Sequence, residues 1–76
     1  LRLSMVPTGQ PLHIVEMPTQ TPADARLRTL GLCPGTLVTV VQTDGGTLLV
    51  AVGDTRLAIS RQIAHRIWVQ GVQTQA

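Results

Sequence analysis

The chain has 76 residues, 43% of them hydrophobic, with six basic residues against four acids and a net charge of +2. That length sets one small domain whose core is modest, since a chain of this size buries only about 60% of its unfolded surface. The composition excludes a disordered chain, and no run approaches the roughly 20 apolar residues of a membrane span.

Residues 1–10 read as irregular, with Pro7-Thr8-Gly9 marking a turn. Residues 12–17 read as a short strand, with Leu12, Ile14 and Glu16 on one face and His13, Val15 and Met17 on the other. The polar, proline-marked stretch 18–22 leads into a helix predicted over 22–30. Thr21 suits the N-cap, Pro22 the first helical position, and Asp24 the acidic partner of a capping box. Ala23, Leu27 and Leu30 fall on one helix face at 3.6 residues per turn, while Arg26 and Arg28 fall off it. Gly31 can take the left-handed conformation that stops a helix, and Leu32 then packs back on Leu27. Cys33-Pro34-Gly35-Thr36 matches a type II turn.

Residues 37–43 are rich in β-branched side chains and read as a buried strand, ended by the hairpin residues Asp44-Gly45-Gly46. Residues 47–52 carry Leu48, Val50 and Val52 on one face and Leu49 and Ala51 on the other. Gly53-Asp54 signals a second hairpin, and 55–60 alternates again. Ser60 can cap a helical turn over 61–66 that buries Ile63 and Ala64, and 67–69 reads as the last strand. The core is expected within 3–69, followed by a polar tail over 70–76 in a single domain 1–76. Short strands joined by tight turns point to a mainly β fold: a small SH3-like β-barrel of about five strands with one short α-helix and one helical turn.

The segments, taken in order, resemble the FeoA family. Residues 3–10 look like its opening, an apolar pair and a proline-glycine turn. Residues 26–35 look like its central segment: an arginine-leucine helix end, Leu30-Gly31-Leu32, any residue, then Pro34-Gly35. Residues 53–59 and 67–69 look like its closing hairpin and final strand. Residues 18–22 stand where the family often has a glycine-rich link, and Asp44-Gly45-Gly46 replaces a longer loop. The resemblance implies an SH3-like barrel and a cytoplasmic accessory protein of ferrous-iron uptake. It would bind and modulate a FeoB-type membrane transporter through that partner's cytosolic GTP-binding part. A similar domain occurs in iron-dependent repressors, which makes metal sensing the first alternative.

Nothing in the chain supports catalysis. Ser4 and Ser60 have no evident base, the acids stand apart, and a chain without lysine has no P-loop. The potential metal ligands His13, Cys33, His65, Glu16 and Asp54 show no ligand spacing such as C-x-x-C or H-x-x-x-H. No cofactor is required, while weak binding of a divalent transition metal, iron or zinc, stays open through His13, Cys33 and His65. The arginines are dispersed at 2, 26, 28, 56, 61 and 66, and Trp68 is the only aromatic. That argues against nucleic acid, although an RNA-binding barrel remains the second alternative. A lone cysteine excludes an internal disulfide and suits the cytosol. There is no signal-peptide pattern and no direct membrane insertion is expected. The chain starts with Leu1 rather than methionine, so residues missing from the amino end are expected. For partner binding the candidates are Leu32, Cys33, Leu49 and Trp68, the first two on the corner past the helix stop. Self-association is also open.

Overall fold

A computed structural model describes residues 1–72. Five strands, β1 (Pro11–Glu16), β2 (Leu37–Asp44), β3 (Thr47–Val52), β4 (Thr55–Ser60) and β5 (Trp68–Gly71), form one antiparallel sheet in the order β4-β3-β2-β1-β5. Helix α1 (Pro22–Thr29) links β1 to β2, and the helical turn α2 (Arg61–Ala64) links β4 to β5. The fold is mainly β, as predicted. The ladder is not a closed barrel, because β4 and β5 do not pair. The 3-10 turn Leu3–Met5 and α2 pack together in the gap, where Leu3 and Ala64 are buried. The amino-terminal stretch is therefore not irregular: Leu3 belongs to the core.

The connections form as their residues dictate. Thr21 and Asp24 make a reciprocal capping box with Pro22 at the first helical position. Gly31 takes φ 104° at the helix end. Its N–H donates to the Arg28 carbonyl and that of Leu32 to the Leu27 carbonyl, both at 3.0 Å, which is the bond pair of a Schellman stop. Gly35, at φ 90°, and the 3.0 Å bond from Thr36 N–H to the Cys33 carbonyl complete the type II turn. Gly53, at φ 60° in the first central position between β3 and β4, matches a type II′ hairpin. Gly45 and Gly46 do not adopt positive φ, so the β2–β3 turn does not use the freedom expected of them.

Two bulges depart from simple alternation. Ile14 pairs with Val69 and Glu16 with the next residue, Trp68, so Val15 is an extra residue in β1. The parity flips there: Leu12 and Ile14 point inward, Glu16 is exposed, and Met17 is buried instead. The expected face of Leu12, Ile14 and Glu16 is thus broken before the glutamate, which spares the cost of burying an unpaired carboxylate. A second bulge lies at Val41, between the pairs Val40–Val50 and Gln42–Leu49. Only Val38 and Val40 of β2 are buried, and 41–44 are exposed, so the strand is half-buried rather than buried. Gln70 and Gly71 belong to β5, paired with His13 and Leu12, so the tail starts later than predicted; 73–76 lie outside the described residues.

Leu32 has no exposed surface. The Schellman stop folds it beneath the helix, so its expected place on a partner rim is corrected to the core. Leu32→Ala is expected to lower the unfolding free energy by about 2–5 kcal/mol in a denaturant titration, and Leu32→Glu to abolish folding rather than only partner binding. A Cβ on Gly31 would meet only Val52 Cγ1, at 3.8 Å. Gly31→Ala should therefore cost about 1–2 kcal/mol through backbone strain alone in the same titration.

Candidate functional site

The sequence-predicted site residues do not converge. His13 lies in β1 between Leu37 and Gln70 of its neighbours. Cys33 is half-buried at the corner, its thiol 4.0 Å from the Arg28 carbonyl. His65 is exposed at the end of α2, with Nδ1 3.0 Å from Ser4 Oγ. Among the described residues, no group of three or more His, Cys, Asp or Glu side chains could hold a metal ion. The three potential ligands therefore do not fit a transition-metal site within one chain. Leu49 is half-buried on β3 in a shallow polar recess with Gln42, Asp44 and Thr47.

Trp68 has a different setting. The residue is 39% exposed at the start of β5 and lines a groove of about 390 Å³. The segment 17–20 lines the groove together with Arg2, Glu16 and Arg66. Arg2 lies over the indole with its guanidinium carbon 4.7 Å from the ring centroid. Its Nη1 also donates to the His65 carbonyl at 2.9 Å, so the cation is fixed from two sides. The bulge at Val15 brings Glu16 opposite Trp68.

Arg66 is held by Asp24, a residue read in the sequence only as a helix cap. The Asp24 side chain is buried, and Arg66 Nη2 and Nη1 donate to its two carboxyl oxygens at 3.1 and 3.3 Å. The N–H groups of Gln20 and Thr21 add bonds of 2.9 and 3.0 Å to Oδ2. Burial pushes the Asp24 pKa up. The bonds from Thr21 and Gln20 and the Arg66 charge outweigh it and hold the carboxyl below its ordinary 3.8. The site thus has fixed guanidinium groups, one carboxylate and an indole around a polar groove.

A family model described as the FeoA domain matches residues 1–71. A search of curated proteins finds no match. Among solved structures, iron(II) transport protein A from Clostridium thermocellum has a TM-score of 0.87 at 23% identity; the match covers 95% of this chain but only 46% of that one. A crystal structure described as iron uptake regulatory protein (FeoA) has a TM-score of 0.84 at 27% identity, covering 95% of this chain and 97% of that one. FeoA from Stenotrophomonas maltophilia, solved in complex with zinc, matches at 33% identity with a TM-score of 0.78, over 92% of this chain and 89% of that one. That protein is described as a prokaryotic SH3-domain protein and a candidate ferrous-iron-transport activating factor.

The lowered Asp24 pKa has a fixed sign in stability. The contribution is complete above pH 3.8 and is lost as pH falls through the lower folded value. Asp24→Asn should lower the melting temperature at neutral pH, and the gap to the unaltered chain should close below pH 3.8 in a series of thermal melts.

Proposed function

The chain belongs to the FeoA family, and on that premise we propose that it is a cytoplasmic, non-enzymatic accessory protein of bacterial ferrous-iron uptake. Its partner is the cytosolic part of a FeoB-type GTP-binding iron transporter, whose activity it modulates. The observation that carries this reading is the family match across residues 1–71, nearly the whole chain. The activating role suggested for the S. maltophilia relative points the same way. The groove around Trp68 supplies a surface suited to such a role: a half-exposed indole beside arginines already fixed in place, both residue types enriched where binding energy concentrates. Cys33 and Leu49 stay in the proposal as half-buried residues outside that groove, and Leu32 leaves it. No helix of the described residues is long and apolar enough to cross a membrane.

Trp68 is the only tryptophan and reports on its own groove. Titration with the cytosolic domain of a FeoB-type transporter, whose signal is subtracted, should change Trp68 emission in at least one of the GTP-bound, GDP-bound and empty states. Arg2→Ala should weaken that binding by about 1 kcal/mol or more. Absence of binding in every nucleotide state removes the proposal. Calorimetry with ferrous iron and with zinc tests the sensing alternative: a tight site of one metal per chain, lost in His13→Ala or Cys33→Ala, would replace an accessory role with metal sensing.

A further inference from the structure

The two edges of the sheet are treated differently. The outer edge of β5 is covered by the amino-terminal residues. Val69 N–H donates to the Leu1 carbonyl at 2.7 Å, Arg2 bridges Trp68, and Leu3 N–H donates to the Ile67 carbonyl at 2.9 Å. The outer edge of β4 has no such cover. Beyond its ladder with β3, no backbone group of residues 55–59 takes part in a further hydrogen bond among the described residues. The two-residue turn makes Val52 and Thr55 a hydrogen-bonded pair, and the 3.0 Å bond from Arg61 N–H to the Gly46 carbonyl keeps the same phase at the other end. Arg56, Ala58 and Ser60 therefore point their N–H and C=O groups away from the sheet.

A groove of about 320 Å³ runs along this bare edge. It touches the consecutive residues Leu57, Ala58, Ile59 and Ser60. Neighbouring strand side chains point to opposite faces, so a groove that meets all four lies along the edge, not over one face. Its far wall is the α1 face carrying Arg26, Leu27 and Leu30, with Leu30 44% exposed. The one charged residue that lines it is Arg26. α1, β4 and α2 carry Arg26, Arg28, Arg56 and Arg61, all exposed and without an ion-pair partner among the described residues. Their single acid, Asp24, is buried and bound to Arg66.

We propose that this groove docks an extended, acidic segment of a partner protein. The segment adds a strand to the free edge of β4, seats apolar side chains against Leu30 and Leu57, and sets carboxylates against Arg26 and Arg56. Main-chain bonds supply affinity and alternate side chains supply selectivity, as in other strand additions. The inference rests on the groove and does not depend on the transporter reading.

The test is a nuclear magnetic resonance titration of the isotope-labelled chain with a short, end-blocked peptide alternating glutamate and valine. A peptide alternating lysine and valine is the control. The Glu–Val peptide should shift the amides of Arg56, Ala58 and Ser60 and the methyl signals of Leu30, and slow exchange of those amides. The Lys–Val peptide should shift none of them. The double variant Arg26→Glu, Arg56→Glu alters exposed side chains only. With its thermal melt unchanged, it should bind the Glu–Val peptide about tenfold more weakly and accept the Lys–Val peptide. No shift at any peptide concentration, shifts confined to another face, or equal binding of both peptides overturns the proposal. Protection of the β4 amides that grows with protein concentration alone, with dimers in sedimentation, also overturns it and makes a second copy the occupant.

Discussion

The bidentate contact between Asp24 and Arg66 governs how the one long connection of this fold is attached. Helix α1 buries only Asp24 and Leu27 of its own residues. Leu27 supplies apolar contact but no direction. The carboxylate supplies direction, because it accepts from the N–H groups of Gln20 and Thr21 at the helix start and from a guanidinium 42 positions later in the chain. One side chain thus closes the helix cap, neutralises a buried charge and ties α1 to the entrance of β5. Burying a carboxylate without those four bonds would be unfavourable; with them it selects one placement of the helix. Arg66 is 40% exposed, so the pair is worth less than a fully buried one would be, and its main effect is orientation.

From that placement the rest follows. The Schellman stop and the Pro34-Gly35 turn reverse the chain within a few residues and send it into β2, with Leu32 folded into the core at the corner. The Gly35 N–H donates to the Ile14 carbonyl at 2.7 Å and Ile14 N–H to the Thr36 carbonyl at 2.9 Å, so the turn is also stitched to β1. The helix is thus fastened at both ends, by Asp24 at its start and by the buried Leu32 just past its stop. Its side toward β4 is not filled: Leu30 stays 44% exposed there, and a groove separates it from the strand edge.

Much of this was legible in the residues because it is local. A cap needs a hydroxyl and a carboxylate three apart, a Schellman stop needs glycine, and a type II turn needs Pro-Gly; each signal sits within a few positions, and the structure has each where the residues put it. What was not legible depends on partners remote in sequence. Alternation placed Glu16 with Leu12 and Ile14, and only the pairing with β5 reveals the extra residue at Val15. The hint available in advance was the cost of putting a lone glutamate on an inward face. Asp24 read as a surface cap because nothing near it announces Arg66. Leu32 was placed both against Leu27 and on a rim; the first was right, and the same bond that seats it there removes it from the surface.

The arginines show the same limit in its functional form. Along the chain they are dispersed, and dispersion argued against nucleic acid. In the fold they divide into two groups with different surroundings. Arg2 and Arg66 are fixed, one by an indole and a carbonyl, the other by a carboxylate, so each presents its remaining N–H groups at a set position beside Trp68. Arg26, Arg28, Arg56 and Arg61 have no ion-pair partner among the described residues and stand on the elements around a bare strand edge. Natural sheets guard such edges with a bulge, a proline or a lysine, or cover them. β5 is covered by the amino-terminal residues, whereas β4 has no bulge, no proline and no lysine, and Arg56 is its one charged residue. Like charges repel a second identical edge and attract an acidic one. The same residues therefore guard the edge against its own kind and leave it open to a partner of opposite charge.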